Sequence, residues 1–296
     1  MVSIDSGKPV ISGFDGSAGA QDAFHLGLWA AEASHRPALV VDVYPDDIIP
    51  VLPGIGDDWL QQMKRDAQRN LAQARAMVPD RCTDAEYRAV PGTSAARGLD
   101  DLTTREDASG IVVVSSRRGP LRRVGSSHTA DRLLQGTAWP VLVAPRGTRD
   151  LAALTSVGWA YVPTPEGRLA LRRAADLARR SGARLNVFTV PSQGPGQPHP
   201  DRATRRKITD HLGRQLTDAA HADVERVPGR LEAEVHLLSG GVVDSLAASL
   251  EESDCQILVC GSRGYGPVGR VLLGGVSSRL VWHASTPVLV VPRRTK

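Results

Sequence analysis

Two stretches of this chain are close copies of one another and lie about half its length apart. Trp139-Pro140-Val141-Leu142-Val143-Ala144-Pro145 returns near the C-terminus as Thr286-Pro287-Val288-Leu289-Val290-Val291-Pro292. Upstream of each lies a second matched pair. Ile111-Val112-Val113-Val114-Ser115-Ser116-Arg117 precedes the first copy, and Ile257-Leu258-Val259-Cys260-Gly261-Ser262-Arg263 precedes the second. Order and spacing agree, so the chain must build one architecture twice. Its 296 residues suit two domains of ordinary size, each with its own core.

The repeated runs are short, continuously apolar and bounded by Gly, Ser or Pro, which is how a strand reads when both of its faces are covered. Further strands are predicted at Pro9 to Phe14, Ala38 to Tyr44, Thr155 to Tyr161 and Leu185 to Val190, with weaker ones at Tyr87 to Val90 and Glu234 to Leu238. Helical patterns fall between them. Arg168 to Ser181 sets Ala170, Ala174, Leu177 and Ala178 on one face, with Thr164 as N-cap and Pro165 at the first helical position. Asp57 to Met77 reads as a longer, charged helix whose counterpart starts near Arg202. Alternating strands and helices imply parallel strands joined by right-handed crossovers. The expected fold is α/β: two tandem open, mainly parallel five-stranded sheets with helices on both faces, over residues 1–147 and 148–296. Ala144 to Thr155 reads as the linker, and Pro191 to Ala203 as a surface loop. Ligands of such sheets bind beyond the carboxyl ends of the strands, where the strand order reverses.

Composition narrows the function. Apolar content of 41% with mixed charge describes a soluble globular chain. A net charge of +4, with dispersed Lys and Arg, gives no nucleic-acid footprint. No run of about 18 apolar residues offers a membrane span, and a cytoplasmic location is expected. Cys82, Cys255 and Cys260 form neither a metal-ligand pattern nor a disulfide framework, and Cys260 reads as a small core residue. There is no metal-ligand cluster, nucleophile elbow or Walker A lysine, so catalysis is not expected.

After the fourth strand of the second half come Gly261, Gly264, Gly274, Gly275, Val276, Ser277 and Ser278. Glycines let backbone N–H groups approach an anion, and a following helix start adds its positive dipole end, so the loop suits a phosphate. Here the chain resembles the universal stress protein family, whose ATP-binding members carry Gly-x2-Gly-x9-Gly-Ser/Thr at this place, then a helix and a Pro-Val-Leu-Val-Val strand. Gly261, Gly264 and Gly274 match, whereas Gly275 stands where the family has a hydroxyl residue. In the first half, Val10-Ile11-Ser12-Gly13-Phe14-Asp15-Gly16-Ser17, followed by Ala23, Trp29, Ala30 and Ala31, matches the family's opening strand, Asp-Gly-Ser turn and Ala-rich helix.

The resemblance implies an adenine nucleotide α-hydrolase-like fold and assigns Asp15 to the bound nucleoside. Asp15 and Ser17 are also, on their own chemistry, a turn and a helix cap. The nucleotide-site residues expected are Asp15, Gly16, Ser17, Tyr44, Ser115, Arg117, Gly125 and Ser126 in the first half. In the second they are Val190, Gly261, Arg263, Gly264, Gly274, Gly275, Val276 and Ser277. Each half keeps a different part of the site. In the first, Ser115 stands for the first motif glycine and Arg118 for the second, in a shortened loop. There either Ser127-His128 or, with an insertion, Gly125-Ser126 takes the place of the Gly-Ser pair. In the second, Val162 or a neighbour stands where the Asp belongs.

The expected function is a stress-response regulator that binds ATP or a related adenine nucleotide, with Mg²⁺ accompanying ATP. The second half is favoured for phosphate and the first for nucleoside. A scaffold with decayed sites is the alternative, and turnover of ATP would be at most slow. The resemblance also implies a pseudo-dimer of the two halves through Pro140 to Val143 and Pro287 to Val291, and leaves a homodimer open.

Overall fold

A computed structural model describes residues 7–46, 55–78, 84–115, 129–149, 151–191, 201–262, 279–281 and 284–292. The chain divides into two compact units, Met1–Leu151 and Ala152–Lys296.

The first unit runs β1 (Val10–Gly13), α1 (Ala18–Ala33), β2 (Ala38–Tyr44), α2 (Ile55–Ala76), β3 (Glu86–Pro91), α3 (Ala95–Arg105), β4 (Gly110–Val114), α4 (Thr129–Gly136) and β5 (Val141–Ala144). Its strands are parallel in the order β3-β2-β1-β4-β5. The chain moves outward from β1 in one direction and then crosses to β4 on the other side. That reversal opens a crevice beyond the carboxyl ends of β1 and β4. Helix α1 starts where Ser17 accepts the Ala20 N–H at 3.2 Å. Its small residues let it lie close to the sheet: a Cβ on Gly27 would come 1.7 Å from Ser12 Oγ. Phe14, Phe24, Leu28, Val40, Leu71 and Ala74 form a core between β1, β2, α1 and α2, with Phe14 and Phe24 edge to face at 5.7 Å. The segment after β5 is tied back to α1. Gly147 N–H donates to Asp22 Oδ2 at 3.1 Å, and Arg149 Nη2 donates to Gln21 Oε1 at 3.1 Å.

The second unit repeats the plan with β6 (Ser156–Ala160), α5 (Pro165–Ser181), β7 (Arg184–Thr189), α6 (Arg202–Glu225), β8 (Ala233–Leu237), α7 (Val242–Glu252), β9 (Ile257–Gly261) and β10 (Val288–Val291), and residues 279–281 are helical. Its parallel order is β8-β7-β6-β9-β10. Thr164 caps α5 through the Gly167 N–H at 3.1 Å, with Pro165 in its first turn and Gly182 in a left-handed C-cap. Cys255 and Cys260 are buried free thiols. Burial raises the Cys255 pKa, with Ser156 and Asn186 as its polar neighbours.

The strand ladders fix how the copies correspond. Val10 pairs with Ala38 and Gly110, and Val157 pairs with Leu185 and Ile257. Ile111 pairs with Val141, and Leu258 with Val288. Ser115 N–H donates to Ala144 O as Ser262 N–H does to Val291 O, and Thr137 N–H donates to Leu133 O as Ala284 N–H does to Leu280 O. Each of these pairs of counterparts, such as Val10 and Val157, is 147 residues apart.

Candidate functional site

The end of β1 turns through Asp15, Gly16 and Ser17 into α1. Asp15 Oδ1 accepts the Ser17 N–H at 3.0 Å, an Asx turn. Gly16 has φ +77, and a Cβ there would meet Asn70 Oδ1 at 2.7 Å. The positive φ favours glycine, and a Cβ would also push the Asn70 amide aside. Asn70, reaching over from α2, donates its amide to Asp15 O at 3.2 Å and to Asp42 Oδ2 at 2.9 Å. One side chain thus clips the β1 turn to the end of β2.

Asp42 is only 6% exposed. Burial pushes its carboxyl up to about 6; the Asn70 hydrogen bond opposes that, and the neighbouring Asp15 charge adds to it. Asp15 and Asp42 both line a cavity of about 380 Å³ at the carboxyl ends of β1, β2 and β4. Val41, Val43, Leu99 and Val114 give it apolar wall, the first turn of α1 closes one side, and Thr129 and Arg146 contribute polar groups. Arg146 is exposed, makes no ion pair among the described residues, and is positioned by the turn that Asp22 holds at Gly147. The cavity is thus bipolar: two carboxyls near β1 and β2, one guanidinium beyond β5. It suits a small molecule with hydrogen-bond donors at one end and anionic groups at the other.

Of the sequence-predicted residues, Asp15 and Ser17 line this cavity, and Gly16 shapes the turn that presents them. Tyr44 is not among the lining residues; Val43, one residue earlier, takes that place because it lies on the wall beside α3. Ser115 is buried at the end of β4, its N–H bound to Ala144 O. Val190 is buried in an apolar cluster with Phe188, Leu246 and Leu258, so its side chain belongs to the core. Arg117, Gly125, Ser126, Arg263, Gly264, Gly274, Gly275, Val276 and Ser277 lie outside the described residues. Asp42, Asn70 and Arg146 escaped the sequence reading. Only Asp42 left a visible signal, as an acid inside the apolar run Leu39-Val40-Val41-Asp42-Val43.

The ladder corrects the assignment of the two phosphate loops. Ser115 corresponds to Ser262, not to Gly261, because both N–H groups end the same ladder. Val114 is the residue opposite Gly261. The loops are also equal in length, since Ser115 to Leu133 and Ser262 to Leu280 span the same number of residues. The first is not shortened. Counted without a gap, Arg117 rather than Arg118 falls opposite Gly264, and Ser127-His128 opposite Gly274-Gly275.

Gly261 has a packing role of its own. A Cβ on it would lie 3.3 Å from the backbone carbonyl of Glu166, in the first turn of α5. In the first unit the sizes are exchanged: Gly19 takes the helix position of Glu166, and Val114 fills the strand position, 3.6 Å from a Cβ on Gly19.

The rest of the second unit's edge has diverged as well. Val162 stands opposite Asp15, Thr189 opposite Asp42 and Thr217 opposite Asn70. The Oγ1 atoms of Thr189 and Thr217 are buried with no hydrogen-bond partner among the described residues, so the clip of the first unit is lost. Phe188 replaces Val41 and is buried in the core, stacked at 5.2 Å on His236. Tyr161 instead ties this edge together. Its hydroxyl donates to the buried Asp223 at 3.2 Å, which also binds Arg168 and Arg226 at 3.1 and 2.8 Å. Burial first, and then the Asp223 charge, raise the Tyr161 pKa. No helix among the described residues is long and apolar enough to cross a membrane, and no cluster of His, Cys, Asp or Glu there could hold a metal ion.

Comparison with known proteins bears on both units. The model of the universal stress protein family matches residues 7–145 and again 159–292. A universal stress protein of Mycobacterium tuberculosis is 27% identical over 91% of this chain and 94% of its own. One from Mycolicibacterium smegmatis is 28% identical over 96% and 97%. The crystal structure of a universal stress protein from Archaeoglobus fulgidus, 18% identical, covers 98% of this chain and 100% of its own with a TM-score of 0.68, a likeness of fold. The duplicated sequence, the twice-built parallel sheet and the two family matches agree, and the chain belongs to the universal stress protein family, with two copies of its domain in tandem.

Proposed function

We propose that this protein is a regulatory binder of an adenine nucleotide and that the first unit holds the ligand. The observation that carries the reading is the cavity beyond β1 and β4, where the Asp15 turn, the buried Asp42 and Arg146 converge on about 380 Å³ of space walled in part by Val41, Val43, Leu99 and Val114. That volume lies within the range of small-molecule sites. Its carboxyls match the donors of a nucleoside, and Arg146 matches a phosphate as a charged donor. Mg²⁺ would enter with ATP, bound by the phosphates. The reading makes binding, not turnover, the activity.

For the second unit we propose a structural role. Val162 removes the acid, Phe188 fills the wall where Val41 stands in the first unit, and Gly261 is accounted for by its contact with Glu166. We propose the first unit for the phosphate as well, on the strength of Arg146 in its cavity. Calorimetric titration of the full chain with ATP and AMP tests this. One ligand per chain is expected, and the Asp15→Ala variant should lower its affinity about tenfold or more, the scale of one lost hydrogen bond to a charged group. Two equivalent sites, or one site indifferent to Asp15, would overturn the assignment.

A further inference from the structure

Resting on that reading, we infer that Asp42 is a specificity-determining residue of the first unit, whose carboxylate accepts a hydrogen bond from an N–H or O–H donor of the bound nucleoside. Asp42 lines the cavity from the end of β2, in an otherwise apolar strand. One oxygen, Oδ2, is held by Asn70 at 2.9 Å. The other has no protein partner among the described residues. Asn70 also holds Asp15 O, so the carboxyl is fixed relative to the turn and presented in one orientation. The neighbouring charge is of the wrong sign to satisfy it. Asp15 stands beside it on the β1 turn, Asn70 of α2 is neutral, and Arg146 lines the same cavity without an ion pair to either acid.

The fold does not require an acid there. The second unit builds the same strand with Thr189 in that position and Thr217 in place of Asn70, and it still forms a full parallel sheet. A buried carboxyl that architecture does not need, held by one hydrogen bond and set in the wall of a ligand-sized cavity, is an acceptor waiting for a donor. A nucleoside offers two kinds: the exocyclic amine of the base and the ribose hydroxyls. Either would gain a charge-assisted hydrogen bond in a partly dry site, and a ligand lacking it would leave the carboxylate unpaired.

The test is calorimetric titration of the full chain and of Asp42→Thr, the second unit's residue, with four probes: AMP, IMP, 2′-deoxy-AMP and 3′-deoxy-AMP. Wild type should bind AMP about tenfold or more tightly than at least one of the other three. A preference over IMP identifies the base amine as the donor, and a preference over a deoxy compound identifies that hydroxyl. In Asp42→Thr the same preference should shrink to about twofold or less. Asp42→Asn, which keeps the shape and can still meet Asn70, should lose it in parallel, so that a folding defect in one variant does not decide the outcome. A wild type that binds all four alike, or variants that keep the wild-type preference, would overturn the role of Asp42 while leaving nucleotide binding standing. A wild type that binds none of the four would remove the nucleotide reading itself, and this inference with it.

Discussion

Replacing Asp42 by Asn should stabilise the protein, and should do so only above acid pH. The Asp42 carboxyl loses its proton at about 6 in the folded chain, against an ordinary value of 3.8. Once the pH exceeds 3.8, the unfolded chain releases this proton while the folded chain still holds it. Stability from this group is therefore fully present below 3.8, falls as pH rises through the window from 3.8 to 6, and stays low above it. A shift of that size, at 1.36 kcal/mol per pH unit, amounts to about 3 kcal/mol at pH 7.5 and roughly 0.5 kcal/mol at pH 4. Asp42 is 6% exposed, so screening is limited to solvent that enters through the cavity. Asn mimics the protonated acid and can still accept from Asn70, so Asp42→Asn should recover most of that difference. For a unit of this size, about 3 kcal/mol corresponds to roughly 6–12 °C in unfolding midpoint. The assay is urea and thermal unfolding of the full chain, without nucleotide, at pH 4 and pH 7.5. A variant no more stable than wild type at pH 7.5, or one equally stabilised at both pH values, would refute the reasoning, because burial of a charge would then not be what Asp42 costs the fold.

Two further predictions concern glycines. Gly16→Ala places a Cβ at φ +77 and 2.7 Å from Asn70 Oδ1; it should cost about 1–3 kcal/mol and disturb the Asn70 clip, read as a lower urea midpoint together with weaker AMP binding, and an unchanged midpoint would show that the turn has another way to close. Gly261→Ala should press on the Glu166 carbonyl at 3.3 Å and cost about 1–3 kcal/mol as an overpacking change, while leaving the affinity for AMP at the first unit's site within twofold or so; a large loss of affinity with unchanged stability would restore a ligand role to that glycine.

The architecture was open to reading because it rests on signals that survive in a single sequence. The repeated Pro-Val-Leu-Val runs, the caps at Ser17 and Thr164 and the Asp-Gly-Ser turn are local, and each fixed an element without help from the rest of the chain. The phase of the fourth strands was not open in the same way. Ile111 and Ile257 each begin an apolar run, and matching them by composition aligns Ser115 with Gly261. A strand buried on both faces carries no alternation to fix its phase, so a slip by one residue goes unseen until the ladder pairs Ile111 as it pairs Leu258. The missed site residues share a different cause. Asn70 meets Asp15 across 55 positions of sequence, by way of a helix whose exposed face looks like ordinary solvated surface. Arg146 stands in what reads as a linker, and the contacts of Gly147 with Asp22 and of Arg149 with Gln21 show that this segment is held to α1.

The exchange of sizes between Gly19 with Val114 and Glu166 with Gly261 bears on how the two copies can change from here. Each half carries its own matched lock and key at this spot, so a residue moved alone from one copy to the other meets the wrong partner. Writing glycine into position 114 to rebuild a phosphate motif would leave a void above Gly19, and writing valine into position 261 would drive a side chain into a helix backbone. A productive chimera has to carry strand end and helix start together, and a history of single substitutions has to pass through a poorly packed intermediate. The copies share a fold, but here they are no longer interchangeable parts.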